Sequence, residues 1–208
     1  MISHRHRFVF IHIPRTGGTS LAEALRDESC ELLPNTHDPR AAHAPANHLT
    51  LHEIASHGLA GPEVLRSYFK FCFVRNPWDR LISEICCRWL RPVFDGLTME
   101  QSIREGCRIA ATQTTGYANH LRPQSDFVAS GDLEMDFVGR FEDLTKDFEV
   151  VCERVGTRRT LPVRDRSQHT SYWAYYNRET RDLVAETYRR DVELFAYSFA
   201  ADELTSAP

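Results

Sequence analysis

Residues 7–27 read RFVFIHIPRTGGTSLAEALRD, and the fold turns on how they are parsed. Arg7 to Ile13 is a run of β-formers, and Pro14, which has no amide hydrogen, closes it as a strand. Arg15 to Ser20 is a tight turn around Gly17 and Gly18. Leu21 to Asp27 then has helical spacing, with Leu21, Ala24 and Leu25 on one side. Strand, glycine loop and helix in that order bring backbone N–H groups and the positive end of a helix dipole to one point, which is an anion site. Gly17 and Gly18 permit close approach, Thr16, Thr19 and Ser20 add hydroxyl donors, and Arg15 adds a fixed positive charge. A plain tight turn is the competing reading. The kinase pattern GxxxxGK[ST] and the dinucleotide pattern GxGxxG are both absent.

The same arrangement recurs further on. Tyr68 to Val74 (YFKFCFV) is a second buried strand, Arg75 follows it, and Asn76-Pro77 is an N-cap followed by a first-turn proline. The spacing predicts a helix from Pro77 to about Leu90. Trp78, Leu81, Ile82, Ile85 and Trp89 share its apolar face, and Asn76, Arg80 and Ser83 share the other. Arg75 at the carboxyl end of a strand is a second candidate anion site, with Ser83 two turns on. Its competing reading is a simple ion pair with Asp79. Two such sites suit a ligand with two separated anionic groups.

Outside these blocks, residues 30–48 hold Pro34, Pro39 and Pro45 and read as a long loop. Short helices are expected at about 50–57 and 62–67, further helices near 98–110 and over 143–155, and a last one over 178–197. Short strands are expected at 126–129 and 136–140. Residues 157–176 are basic and aromatic without periodicity. No repeat or low-complexity linker interrupts residues 1–208, so one domain is expected.

The net charge of −4 argues against a general nucleic-acid surface. Only Lys70 and Lys146 are lysines among the 25 basic residues, so each arginine must be argued from its position. No stretch approaches the ~20 apolar residues of a membrane span. The first apolar run lacks a signal-cleavage pattern, and the six cysteines contain no CxxC pair. A cytoplasmic protein with reduced thiols is expected.

FIHIPRTGGTSL (10–21) and FKFCFVRNPWDRLIS (69–83) resemble the two signature blocks of the Golgi-type carbohydrate sulfotransferases, sulfotransferase family 2, and their small bacterial relatives. NHLTLHEI (47–54), RPQSDFV (122–128), VGRFEDLTKDF (138–148) and residues 179–199 carry weaker likeness. The resemblance implies a P-loop-like, three-layer α/β fold with a central, mainly parallel sheet flanked by helices. It implies that 3′-phosphoadenosine-5′-phosphosulfate (PAPS) is the sulfuryl donor, 3′-phosphoadenosine-5′-phosphate (PAP) the product, and no metal is required. The first block, Arg15 to Ser20, would bind the 5′-phosphosulfate, and Arg75 with Ser83 the 3′-phosphate. The acceptor would be a hydroxyl on a carbohydrate or small metabolite. This chain has Arg15 where the family usually has lysine, and Asp165 where it usually has asparagine.

In-line transfer to a hydroxyl needs a base, and His48 is the first candidate, with His52 and Glu53 in reserve. Arg15 would stabilise charge on the departing phosphate oxygen. Tyr172, Trp173, Tyr175 and Tyr176 offer faces for a sugar, or simply pack under the last helix. Five histidines fall between His37 and His57, but His52 and His57 are five apart rather than the four of HExxH, which turns them ~140° apart on a helix. No metal site is expected. The alternatives are a catalytically decayed PAP-binding protein and an ATP-dependent phosphotransferase.

Overall fold

The computed structural model describes residues 1–33, 48–113, 118–162 and 171–199. In chain order the elements are β1 (Ile2–Ser3), β2 (Phe8–Ile11), α1 (Gly18–Leu25), β3 (Cys30–Glu31), α2 (Leu51–Ser56), α3 (Pro62–Ser67) and β4 (Phe69–Val74). Next come α4 (Pro77–Ile85), α5 (Arg91–Phe94), α6 (Met99–Thr112) and α7 (Ala118–Leu121). The hairpin strands β5 (Ala129–Ser130) and β6 (Leu133–Glu134) precede β7 (Phe137–Arg140), α8 (Leu144–Val155), α9 (Arg178–Thr187) and α10 (Arg189–Leu194). The chain divides into two compact units, Met1–Val74 with Asp126–Asp165, and Arg75–Ser125 with Arg166–Pro208.

The first unit is a mixed α/β structure around a five-stranded sheet of order β3-β1-β2-β4-β7. The three long strands are parallel, β2 to β4 and β4 to β7, and β1 and β3 add to one edge antiparallel. This is the expected fold class, a central sheet of mostly parallel strands flanked by helices. Phe8, Phe10, Phe71 and Phe73 point to one face, where α1 and α8 cover them with Leu21, Leu25, Phe148 and Val151. Full burial of each such side chain contributes ~1.5–3 kcal/mol. The two-residue strands β1 and β3 are too short to show a period-two pattern and were not expected. The strand expected at 126–129 is instead β5, paired only with β6.

The second unit is helical, packed around Trp78, Leu81, Ile82, Ile103, Leu121, Val184 and Tyr188. Here α4 stops at Ile85 rather than near Leu90. The chain restarts as α5 at Arg91, with Pro92 in its first turn, where a missing amide hydrogen leaves no helix bond unmade. Trp89 therefore leaves the expected apolar face, is 59% exposed and lies under the Arg88 guanidinium at 4.6 Å. The last helix is broken at Tyr188. The break lets the buried Tyr188 hydroxyl donate to the Leu121 carbonyl at 2.9 Å while Asp191 reaches the backbone of Gln124 and Ser125.

Candidate functional site

The loop after β2 is shaped by three local choices. β2 stops at Ile11, short of the expected Ile13, Arg15 takes a left-handed conformation (φ 63°), and Gly17 takes another (φ 83°) as the N-cap of α1. The first helical bond runs from Leu21 N–H to the Gly17 carbonyl at 3.1 Å. No side chain caps α1 and no acidic residue stands in its first turn. The amides of Gly18, Thr19 and Ser20 thus sit at the positive end of the helix with no side-chain acceptor of the helix's own, which suits an anion. Arg15 is half-buried, Ser20 buried and Thr19 exposed. One expected donor is corrected: the Thr16 hydroxyl gives its proton to the Ile13 carbonyl at 2.9 Å, so it braces the loop and leaves only its amide to a ligand.

His48 lies against this loop. Its Nδ1 is 2.9 Å from the carbonyl oxygen of His12, and the two rings meet edge-on at 4.6 Å. A carbonyl oxygen only accepts, so Nδ1 carries the proton and Nε2 is the basic nitrogen. The reserve bases have other work. Glu53 closes a capping box on α2, its carboxylate accepting from Thr50 N–H at 2.8 Å while the Thr50 hydroxyl accepts from Glu53 N–H at 3.1 Å. His52 is exposed and pairs through Nδ1 with the Ser130 hydroxyl at 3.1 Å. His12 interrupts the apolar run Phe8 to Ile13, and sequence reasoning gave it no role. That interruption was its signal, because a half-buried polar residue at a strand end beside a ligand loop has a task.

In the second unit the backbone of Arg75 is gripped from both sides by one side chain. Gln124 Oε1 accepts from Arg75 N–H and Gln124 Nε2 donates to the Arg75 carbonyl, both at 2.8 Å. The buried Asp191 carboxylate fixes Gln124 in turn, accepting from Gln124 N–H and Ser125 N–H at 2.7 Å each. Neither Gln124 nor Asp191 was singled out, since a clamp across 49 and 67 residues leaves no local pattern. The Arg75 side chain is buried and its Nε donates to Asp79 at 2.8 Å. The ion pair considered as an alternative is therefore present. It orients the guanidinium plane. Ser83 is buried on α4. Asn76 accepts from Trp78 N–H and Asp79 N–H, and its amide donates to the Ser198 carbonyl at 2.9 Å. Its role is to hold α4 in place.

Of the aromatic residues considered for an acceptor, Tyr172 is buried and Tyr176 donates its hydroxyl to the Trp78 carbonyl at 2.9 Å, while Trp173 is exposed. Tyr172 and Tyr176 both pack into the core of the second unit with Trp78 of α4. Most of the loop at 30–48, with His37 and His43, and residues 163–170, with Asp165, lie outside the described residues. Among the described residues no group of three His, Cys, Asp or Glu side chains could hold a metal, and no helix is long and apolar enough to cross a membrane. Burial pushes the thiols of Cys72, Cys107 and Cys152 up, which disfavours the nucleophilic thiolate at those three positions.

The sequence profile of the Sulfotransferase family matches residues 1–198. Carbohydrate sulfotransferase 14 of Danio rerio is 25% identical over 183 residues, a match covering 75% of this chain and 48% of that protein. The chain thus spans about half the length of that relative. An uncharacterized protein of Archaeoglobus fulgidus is 26% identical over 104 residues, covering 50% of this chain and 81% of that protein. No solved structure matches significantly. With an α/β sheet, an uncapped glycine-loop helix and a family match running through nearly its whole length, the chain belongs to the sulfotransferase family.

Proposed function

We propose that the protein moves a sulfuryl group from PAPS to a hydroxyl of a carbohydrate or glycosylated metabolite. The observation that carries this reading is the loop after β2. There an uncapped helix start, a half-buried arginine and a histidine with its basic nitrogen defined by a backbone bond occur together. The donor supplies a sulfuryl group on a good leaving group, and this chain's residues do the rest. His48 Nε2 takes the acceptor proton as the new S–O bond forms. The amides of Gly17 to Ser20 and the Arg15 charge stabilise the bridging oxygen that keeps the electron pair. Arg75 and Ser83 hold the 3′-phosphate, which gives discrimination against ATP. Arginine at position 15 keeps the charge and the donors but does not release a proton, so its part is electrostatic. No metal is needed, because both anionic groups meet fixed positive charge.

Labelled PAPS offered to a panel of glycans and hydroxylated metabolites tests the reaction. Thermal shifts test the donor. Stabilisation by PAP and not by ATP with magnesium is expected, and the reverse ranking would install a phosphotransferase. PAP binding with no transfer to any acceptor would mean a decayed active site. His48→Ala should lower turnover by ~10²–10⁴-fold and leave PAP affinity within about twofold. Unchanged turnover would move the base to another residue.

A further inference from the structure

We propose that His12 is a positioning residue for this site, acting through both its ring and its carbonyl. The half-buried imidazole follows β2, lies nearly parallel to the Phe10 ring at 5.8 Å, and meets His48 edge-on at 4.6 Å. It occupies the space that a side chain at residue 18 would need. A Cβ built on Gly18 would fall 1.9 Å from His12 Cδ2, 2.0 Å from Nε2 and 2.8 Å from Cγ. Gly17 is required by its left-handed φ, whereas Gly18 has no such φ and is required by the imidazole against it. The ring is thus a wall on the first residue of α1, beside the amides that form the cradle.

The same residue's carbonyl takes the His48 Nδ1 proton at 2.9 Å. One residue therefore sets the tautomer of His48 with its backbone and the tilt of the His48 ring with its side chain. Two histidines 36 residues apart and the start of α1 become one mechanical unit. The part concerning the base rests on the sulfotransferase reading, but the wall does not.

Two readouts that need no acceptor test this. Long-range ¹H–¹⁵N spectra of the full chain, at a pH where His48 is neutral, should show a single Nδ1–H tautomer. His12→Ala keeps the carbonyl and removes the ring, so the Nδ1–H tautomer should persist while the His48 ring, no longer held at its tilt, exchanges that proton with solvent faster. An unchanged His48 signal in that variant would overturn the positioning role. In the second readout, Gly18→Ala should lower Tm by about 5 °C, as overpacking does, and weaken PAP binding about tenfold. In the His12→Ala background the same glycine change should move Tm by less than about 1 °C and PAP affinity by less than twofold. Equal losses in both backgrounds would refute the wall. Should His12→Ala not fold, His12→Asn shortens the ring contact and carries both readouts. If PAP fails to bind at all, the donor assignment falls, while the Tm coupling and the His48 proton exchange still decide this proposal.

Discussion

The turns after β2 and after β4 look alike in sequence, and they satisfy their helix starts in opposite ways. α4 closes its own N-terminus. Asn76 accepts from two first-turn amides, Asp79 places a carboxylate at the positive end, and Arg75 is bound to that carboxylate. α1 has neither a side-chain cap nor an acid in its first turn. A helix that has spent its dipole on its own side chains offers little to a ligand, so at the second turn any anion must be held by the guanidinium. At the first, backbone and dipole are available as well. A strand-turn-helix with a nearby arginine is therefore too coarse a signature, and the occupancy of the N-cap separates the two cases.

If this contrast is right, removing each arginine should have a different consequence. Arg15→Ala should cut turnover by ~10²–10³-fold at saturating PAPS, because it removes charge where charge develops. Arg75→Ala, like Ser83→Ala, should weaken PAP affinity with far less effect on saturated turnover. Steady-state kinetics beside PAP calorimetry distinguish them, and identical profiles would erase the contrast. Giving α1 the acid that α4 already has sharpens it further. Thr19→Asp should weaken PAP binding about tenfold through ~1–2 kcal/mol of like-charge repulsion, yet raise the stability of the ligand-free protein by ~0.3–1 kcal/mol. Unaltered PAP affinity would place the anion elsewhere.

The reverse change is smaller. Asn76→Ala should cost ~1 kcal/mol of stability by removing the cap, read as a Tm drop of about 2–4 °C. The C-terminal side of α1 gives the smallest effect. Asp27 accepts from the Ser29 hydroxyl at 2.6 Å and from Ser29 N–H at 2.9 Å, which lowers its carboxyl to about 2. A lowered folded pKa stabilises above the unfolded value and loses that contribution as pH falls through the folded one. Tm should therefore fall between pH 4 and 2 through this group, and Asp27→Asn should flatten that limb.

Much of the fold was legible because its signals are local. Phe69–Val74, Asn76-Pro77 and the Asp143-to-Gly156 helix carry their own starts and stops in adjacent residues. Misreadings arose where a distant partner intervened. The Trp78 face was extended to Trp89 because helical spacing continues past Ile85, where α4 ends, and the last helix was read as unbroken because its kink serves Tyr188 and Asp191. Likewise Thr16 reads as a ligand donor until the Ile13 carbonyl is seen to take its proton.

The sequence by itself determined the two signature turns, the family and the candidate groups. Backbone conformation at Pro14, Gly17 and Pro77 and capping at Asn76 depend on neighbours within a few residues. Tertiary structure alone decided what the His48 ring is bonded to, why residue 18 has no side chain, and what holds Arg75 still. Those answers are contacts of His48 with His12, of Gly18 with an imidazole, and of Gln124 with Asp191. Contacts between residues distant in the chain depend on close packing, which no local pattern encodes.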